Sequence, residues 1–295
     1  MNNLQTKYKI LTWNVLWKHG YEQRIFNIAA FIKQIGANIV LLQETNDQFA
    51  AQTIEAFSQN GYVIRLQPSN PTTGDASGIG IAYDPHYFIE VNTDQHIDEA
   101  FQAMSIDLLP TNKAPLVKRP VKYIGNQDNH QYESPLDYGT DVLTVVSYHG
   151  HWGVFAQAKR LEQIHSIDNF ARAKGNAVIL GGDFNALPDE PAIQYLHGNL
   201  LIDGQPTYWV EAQDLVQQLG GPTPYGTSFT HGPIIDSHQR FNLHRTPERR
   251  IDFLFNYGFS YGREYAFDGW SHSLDINQAR SLSDHAPIVA GLLDS

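Results

Sequence analysis

The stretch "ILGGDFNALPDEP", residues 179–191, joins an apolar run to a group of turn-forming residues. The run begins with Ala177 and Val178, and its β-favouring residues predict a buried strand. This strand leads directly into two glycines, Asp183 and Asn185. Because Gly, Asp and Asn are the usual residues of turns, this stretch by itself favours a plain turn. The sequence on either side favours a site.

A strand–helix–strand unit contains this stretch. The segment "DVLTVVSYH", residues 141–149, predicts a strand that ends at His149. The segment "AQAKRLEQIHSIDNFARAKG", residues 156–175, places apolar residues on one side of a helix and ends at Gly175. The strand over residues 176–185 then completes the unit and carries Asp183 and Asn185.

The first part of the chain repeats this plan. A strand over "KILTWNV", residues 9–15, contains Asn14 near its end, and a helix follows over "YEQRIFNIAAFIKQIGA", residues 21–37. The next strand, "NIVLLQE", ends at Glu44. Asn14 and Glu44 are 30 residues apart, and the matching residues of the second unit, His149 and Asp183, are 34 apart.

The repeated plan predicts that these polar residues meet. Strands that are joined through a helix are usually parallel with a right-handed crossover, and α/β proteins place their sites at the carboxyl ends of such strands. The alternative interpretation is that these polar residues only mark the ends of strands and do not form a site. Four instances in two matching units favour a shared site.

Two further strands are predicted near the end of the chain, in "RRIDFLFNYG" and "SLSDHAPIVAGLL". Asp252 stands between apolar neighbours, and burying its charge is costly unless it is paired. His285, which follows Asp284, is a natural partner. An ordinary buried hydrogen bond is the alternative interpretation of this pair.

Composition limits the classes of function. The 295 residues are enough for one large domain or two small ones, and long loops or insertions are predicted at 91–140 and 222–248. Arg119 belongs to a basic group in the first loop, which is either a solvated face or a substrate-binding lip. The sequence contains no cysteine, and its hydropathy pattern predicts neither a signal peptide nor a transmembrane segment. A cytoplasmic location is therefore expected. The net charge of −11 opposes indiscriminate binding to nucleic acid.

The candidate residues suit a metal-assisted reaction of a phosphate ester. Several carboxylates in one cleft resist ionising together, and a divalent cation relieves that repulsion. Oxygen ligands without cysteine suit Mg²⁺, with Mn²⁺ as a second possibility. Carboxylates can activate the attacking water, and histidines can bind phosphate or transfer protons. The candidates are Asn14, Glu44, His149, Asp183, Asn185, Asp252, Asp284 and His285.

Six short motifs, in order, carry a resemblance to a known family. They are "TWNV", "LLQE", "SYHG", "GGDFNA", "RRIDFLF" and "SDHAP". Together they resemble the endonuclease/exonuclease/phosphatase superfamily, whose fold is that of DNase I, over about residues 8 to 292. The resemblance implies an α/β fold, a four-layer α/β sandwich in which two packed mixed β-sheets are flanked by helices. It also implies that residues 1–295 form a single catalytic domain.

The resemblance also implies a metal site. It makes Glu44 the main Mg²⁺ ligand and places Asn14 beside it, in contact with metal or substrate. Asp284 completes the metal environment in this interpretation.

The catalytic roles follow from the same resemblance. Asp183 would orient or deprotonate the attacking water, and Asn185 would bind phosphate or metal. His285, paired with Asp252, would contact the phosphate and assist the attack. His149 would bind phosphate or support the leaving group.

The subfamily stays open. Leu16 stands where apurinic endonucleases have Asp, and Ala186 and Leu187 stand where inositol polyphosphate 5-phosphatases have an aromatic residue and Arg. His151 forms an H-x-H pair with His149, and contact of His151 with substrate or solvent is favoured over metal binding.

The leading hypothesis is a Mg²⁺-dependent phosphoesterase that hydrolyses a phosphodiester by metal-assisted attack of water. The expected substrate is a small molecule, a lipid headgroup or a short nucleic acid. The alternatives are a nuclease of the same superfamily and a catalytically silent binding module on this fold. A glycosidase that uses Glu44 and Asp183 as acid and base would leave Asn14, His149 and His285 without roles.

Overall fold

The computed structural model describes residues 7–18, 20–69, 77–98, 101–112, 142–153, 155–174, 176–207, 209–212, 249–257, 265–267 and 276–294. In chain order, the described elements are β1 (Tyr8–Asn14), α1 (Tyr21–Ile35), β2 (Ile39–Asn46), a 3₁₀ helix (Asp47–Phe49), α2 (Ala50–Gln59), β3 (Val63–Gln67), β4 (Ser77–Tyr83), β5 (Phe88–Asp98), β6 (Phe101–Pro110), β7 (Leu143–His149), α3 (Gln157–Lys174), β8 (Ala177–Asp183), α4 (Pro191–Leu196), β9 (Trp209–Glu211), β10 (Asp252–Tyr257), β11 (Tyr265–Phe267), α5 (Ile276–Leu282) and β12 (Ile288–Asp294).

The strands form two six-stranded mixed sheets. The first has the order β11-β12-β1-β2-β4-β3, and the second has the order β5-β6-β7-β8-β10-β9. In each sheet the strands of the predicted strand–helix–strand unit are parallel neighbours, β1 with β2 and β7 with β8. The other pairings are antiparallel. The predicted parallel pairings are therefore confirmed.

Apolar residues fill three layers of core. One cluster lies between the sheets and combines Leu41 and Ile79 of the first sheet with Ile106 and Val145 of the second. A second cluster packs the first sheet against α1 and α2, and a third packs the second sheet against α3 and α4. The order helices, sheet, sheet, helices is the predicted four-layer sandwich.

Helix α1 shows how local sequence sets these layers. Ile25, Ile28 and Ile32 recur with helical spacing and are fully buried against the first sheet. Gly36 ends the helix in the left-handed conformation, with φ of 75°, and its amide bonds back to the Ile32 carbonyl.

Two adjacent glycines let the strands approach closely at the end of β8. A Cβ on Gly181 would lie 2.5 Å from Leu254 Cδ2 and 2.6 Å from Leu41 Cδ1, which belongs to the opposite sheet. A Cβ on Gly182 would overlap the carbonyl oxygen of Tyr148 in β7. Close packing therefore explains the glycine pair better than the plain turn that this stretch by itself favours.

The prediction of a long loop over residues 91–140 is wrong for its first part. Residues 91–98 continue β5, and residues 101–110 form β6, which joins β5 to the rest of the second sheet. The polar edge strand β5 has little apolar alternation to reveal it, whereas the alternating Met104, Ile106 and Leu108 of β6 were an available signal. Residues 113–140, with Arg119, and residues 222–248 lie outside the described residues.

None of the described helices combines the length and the hydropathy that a bilayer crossing requires.

Candidate active site

The predicted residues meet at one edge of the sandwich. In the second sheet, the register places His149 opposite Asp183 and Asp183 opposite Asp252. In the first sheet, Asn14 ends β1, and Glu44 lies near the end of the parallel neighbour β2. Both sheets thus present their polar strand ends at the same edge.

Asn14 connects the two sheets directly. Its Nδ2 donates to Glu44 Oε1 at 3.1 Å and to Asp183 Oδ2 at 2.9 Å. Its Oδ1 accepts a hydrogen bond from the amide of Leu16 at 3.0 Å. The fully buried Asn14 therefore fixes the spacing of two carboxylates. In this arrangement its donor nitrogen faces them, so its role as a metal ligand stays a prediction.

A backbone irregularity sets the position of Glu44. The pairing of β2 with β4 shifts between Gln43 and Thr45, and Glu44 has a φ of 58°. A bulged residue re-aims its side chain, and Glu44 Oε2 accepts a 3.4 Å hydrogen bond from the amide of Trp17. Leu16 and Asn185 also have positive φ, so three of the four such non-glycine residues in the described ranges lie at this edge. Such conformations cost about 1–3 kcal/mol each and cluster at functional sites.

The turn after β8 orients Asp183 and Asn185 together. Asp183 Oδ1 accepts a 2.8 Å hydrogen bond from the Asn185 amide. Asn185 Nδ2 donates to the Gly150 carbonyl at 3.0 Å, and the Gly150 amide donates to the Asp183 carbonyl at 2.8 Å. The loops after β7 and β8 are therefore joined beside the carboxylate of Asp183.

Two histidines flank Asp183. His149 Nε2 lies 3.8 Å from both Glu44 Oε1 and Asp183 Oδ2. His285 Nε2 lies 3.7 Å from the same oxygen of Asp183. The side chain of Glu44 is 19% exposed and that of Asp183 is 3% exposed, so the group opens towards solvent on the Glu44 side.

Asp252 and His285 form the predicted pair. His285 Nδ1 donates to Asp252 Oδ2 at 2.9 Å, and both residues are buried. The His285 carbonyl accepts from Trp13 Nε1 at 2.8 Å, and its amide donates to Ser283 Oγ at 3.2 Å. These bonds hold the imidazole with Nε2 directed towards Asp183.

Burial and neighbouring charges shift two pKa values at this edge. Burial raises the pKa of Asp183, and the carboxylate of Asp252 adds to the increase, while His285 and His149 oppose it. For His285, burial would lower the pKa, but Asp252 and Asp183 outweigh that effect and raise it well above its ordinary value. The imidazole of His285 can therefore carry a positive charge beside Asp183.

Asp284 lies beside this group. Its Oδ1 is 3.5 Å from Ser283 Oγ, and its charge helps to raise the pKa of His285. Among the described residues, the sets of closely spaced histidine and carboxylate atoms do not include it. Its place in a metal environment stays a prediction.

The donor atoms are spaced closely enough to hold a divalent cation. The ligand atoms of Glu44, His149 and Asp183 all lie within 4.8 Å of one another, and so do those of Asp183, Asp252 and His285. Carboxylate oxygens suit hard divalent cations and imidazole suits transition metals, so this set could hold a divalent cation, and its identity as Mg²⁺ or Mn²⁺ stays a prediction. The raised pKa of Asp183 indicates a carboxylate that a nearby cation would relieve.

Sequence reasoning missed the residues that support this site. Gln43 Nε2 donates to Ser147 Oγ at 3.0 Å, which links the two sheets beneath the carboxylates. The guanidinium of Arg24 donates to the carbonyls of Val15 and Leu16 and so holds the loop after β1. Gln43 lies within the motif "LLQE" and Ser147 within "SYHG", and this was the available signal for them. Arg24 lies within a helix and gave none.

Comparison with known proteins gives a family and a fold. Residues 11–285 match the model of the Endonuclease/Exonuclease/phosphatase family. No curated protein matches the sequence.

Similar solved structures include D. rerio TDP2 complexed with single strand DNA product, which has 14% identity, a TM-score of 0.67, and coverage of 98% of this chain and 99% of that chain. The human Nocturnin catalytic domain with bound sulfate anion has 16% identity, a TM-score of 0.63, and coverage of 98% and 93%. An endonuclease/exonuclease/phosphatase from Bacteroides vulgatus has 14% identity, a TM-score of 0.68, and coverage of 99% and 100%.

Proposed function

Since this chain belongs to the endonuclease/exonuclease/phosphatase family, we propose that it is a Mg²⁺-dependent phosphoesterase that hydrolyses a phosphodiester by attack of water. The observation that carries the proposal is the meeting of side chains from both sheets at one edge. Asn14 Nδ2 reaches Glu44 of the first sheet and Asp183 of the second within 3.1 Å.

Asp183 is the proposed base. Its fixed hydrogen bonds to Asn14 and Asn185 orient the carboxylate to accept a proton from the attacking water. In the reaction, the water oxygen bonds to phosphorus, the water proton goes to Asp183, and the bond from phosphorus to the leaving oxygen breaks.

The two histidines support the phosphate on either side of this base. His285 is held cationic by Asp252 and Asp183, so its Nε2 can stabilise charge on the phosphoryl oxygens. His149 Nε2, which faces Glu44 and Asp183, is placed to bind phosphate or to donate to the leaving oxygen. Asn185 contributes an amide side chain beside Asp183.

Glu44 is the proposed main ligand of the cation, with Asp183 or His149 close enough to share it. A Mg²⁺ or Mn²⁺ ion held there would polarise a phosphoryl oxygen and stabilise charge on the leaving oxygen. Asn14 holds the two carboxylates near each other, with ligand atoms within 4.8 Å. Asp284, next to His285, adds negative charge to this environment.

Residues 1–295 are proposed to act as one catalytic domain. The cluster between the sheets contains residues from both halves of the chain, including Leu41 and Val145, and the site itself draws on both sheets. Neither half holds all the residues of the proposed reaction.

The substrate is proposed to be a small phosphoester, a lipid headgroup or a short nucleic acid. The net charge of −11 disfavours tight binding of long duplex DNA, which needs many cationic contacts. The similar structures were solved with single strand DNA product, for TDP2, and with a sulfate anion, for Nocturnin. Both ligands suit a site that takes one or two phosphates.

A catalytically silent binding module is the alternative. Burying Asp183 and Asp252 near each other costs free energy, and a module without chemistry gains nothing from that cost. The intact group of carboxylates and histidines therefore favours an enzyme.

The test is hydrolysis of bis(p-nitrophenyl) phosphate with and without EDTA, followed by addition of Mg²⁺ or Mn²⁺. Asp183→Asn should lower kcat by about 10²–10⁴-fold while the protein stays folded. The control is Asp203→Asn, which changes an exposed carboxylate in a turn beyond α4 and keeps a residue that tolerates its φ of 52°. Chelator-insensitive turnover, or equal turnover in a folded Asp183→Asn protein, would contradict the proposal.

A further inference from the structure

Three exposed apolar side chains closely follow residues of the proposed site along the chain. Trp152 is 76% exposed, Phe155 is 98% exposed and Leu187 is 39% exposed. Trp152 and Phe155 follow His149 by three and six residues, and Leu187 follows Asn185 by two. We call these three side chains the apolar rim. Large aromatic side chains at this level of exposure commonly mark binding surfaces when they lie together.

The two loops that carry the apolar rim are bonded to the site residues. The Gly150 amide donates to the Asp183 carbonyl, and Asn185 Nδ2 donates to the Gly150 carbonyl. A Cβ on Gly150 would overlap the Phe184 carbonyl, so the loops pass each other in direct contact. The rim therefore begins within a few residues of the groups that would hold the phosphate.

Buried Arg160 fixes the shape of both loops. Its Nη1 donates to the carbonyls of His151, at 3.0 Å, and Gly153, at 2.7 Å, in the first loop. Its Nε donates to Glu190 Oε2 at 3.1 Å, and Glu190 Oε1 accepts from the Leu187 amide at 3.3 Å in the second. These bonds hold the backbone on either side of Trp152.

The ring of Trp152 is part of a flat aromatic surface. The His151 ring is stacked against it, with centroids 6.3 Å apart and planes at 21°. His151 Nδ1 accepts a 3.0 Å hydrogen bond from the Gly153 amide, which fixes the imidazole. Flat, fixed rings suit stacking with another planar ring.

We propose that Trp152, together with Phe155, binds a nucleobase attached to the phosphate that the enzyme cleaves, so that the substrate is a nucleotidyl phosphodiester of one to a few nucleotides. This inference rests on the proposed function. The acidic chain, with 31 Asp and Glu against 20 Lys and Arg, gains little affinity from long runs of phosphate. Base stacking supplies affinity without cationic contacts and is tolerant of sequence.

The test compares hydrolysis of thymidylyl-thymidine with that of its analogue in which hydrogen replaces both bases. The two substrates share the same phosphodiester, so only contacts with the bases distinguish them. We expect the parent protein to favour the substrate with bases. Trp152→Ala should lower kcat/KM for that substrate by about 5- to 100-fold, the loss expected for one stacked base, and should leave the analogue unaffected. Trp152→Phe should retain part of the preference, and Phe155→Ala should lose part of it.

Tyr87→Ala is the matched control. Tyr87 is also an exposed aromatic residue, at 44%, and it follows β4, whose last residue, Tyr83, pairs with Ile39 at the start of β2. It therefore lies at the opposite edge from Glu44. This variant should keep the preference for the substrate with bases.

The outcomes separate this inference from the proposed function. Equal hydrolysis of both substrates by the parent, or equal losses on both in Trp152→Ala, would overturn the inference and leave the phosphoesterase proposal standing. If neither is hydrolysed while bis(p-nitrophenyl) phosphate is, the inference fails and the proposed function stands. If none of the three is hydrolysed, the proposed function fails, and calorimetric binding of thymidine 5′-monophosphate and 2-deoxyribose 5-phosphate decides the inference. Tighter binding of the nucleotide that is lost in Trp152→Ala supports it, and equal binding overturns it.

A membrane-binding role is a further outcome of the test. Trp152 emission would then shift to the blue with vesicles of phosphatidylcholine and phosphatidylserine, and the shift would be absent in Trp152→Ala. Such a shift without any preference for the base would overturn the inference.

Discussion

Replacing Gly182 with alanine is expected to destabilise the protein by more than about 3 kcal/mol, whereas the same change at Gly181 should cost about 1–3 kcal/mol. The two glycines are neighbours in β8, but an added methyl group meets different atoms at each. At Gly181 the close atoms are the side-chain ends of Leu254 and Leu41. At Gly182 the methyl group would overlap the Tyr148 carbonyl oxygen and lie 2.8 Å from its carbonyl carbon and 3.1 Å from its amide nitrogen.

The magnitude follows from what must move. The ends of leucine side chains can move to another rotamer, so Gly181→Ala should lose only the free energy that overpacking costs. Relief at Gly182 requires β7 and β8 to separate by about 1 Å, which stretches ladder hydrogen bonds beyond the usual 3.2 Å or so. Tyr148 lies opposite Gly182 in that ladder, and losing two or three bonds at about 1 kcal/mol each adds to the overpacking cost.

Urea unfolding, followed by far-UV circular dichroism, gives the free energies for both variants and the parent. Because His149 and Asp183 are the next pair in the register, Gly182→Ala should also lose phosphodiesterase activity. If the free energy of unfolding of Gly182→Ala lies within about 1 kcal/mol of the values for both the parent and Gly181→Ala, the close backbone approach does not restrict position 182 to glycine.

Three further changes test other parts of the site. Glu44→Gln should reduce the increase in Tm that Mg²⁺ causes, since a ligand that binds only the native state stabilises it by mass action; thermal melts across a Mg²⁺ titration measure this. Arg160→Met should cost about 3 kcal/mol in urea unfolding, because Glu190 loses its buried partner. Asp252→Asn should lower the pKa of His285, which NMR titration of the imidazole would record. The stability that this pair supplies is fully present below the pKa of free imidazole, about 6.5, and is lost as pH rises through the raised pKa of the folded protein.

Each of these changes has a control. Equal Mg²⁺ stabilisation of the parent and Glu44→Gln would remove Glu44 as the ligand. In the double variant Arg160→Met with Glu190→Gln, part of the lost stability should return, and a purely additive loss would count against the ion pair. An unchanged pKa of His285 in Asp252→Asn would show that Asp252 does not control its charge.

Local pattern determined the elements around the site. The spacing of Ile25, Ile28 and Ile32 and the stop at Gly36 predicted α1, because a helix that packs on a sheet must place apolar residues every three to four positions. The pairing of Asp252 with His285 was also predicted, since a buried aspartate between apolar neighbours needs a partner.

The hairpin of β5 and β6 was missed for two different reasons. Residues 91–98 include Asn92 and Asp94, and among the described residues their strand pairs only with β6, at the edge of the second sheet. An edge strand needs little apolar alternation, so this part resembled a polar loop. In β6, by contrast, Met104, Ile106 and Leu108 alternate and are buried between the sheets, so the signal was present and was overlooked.

Sequence alone determined which residue types follow the strands and in what order, but only the tertiary structure decided how they meet. The cluster between the sheets sets the separation at which Asn14 of the first sheet reaches Asp183 of the second, at 2.9 Å. The bulge that turns Glu44 and the buried Arg160 that orders the Trp152 loop likewise depend on residues remote in sequence. Spacing along a chain encodes which face of an element is buried, whereas distances between elements come from the packing of all of them at once.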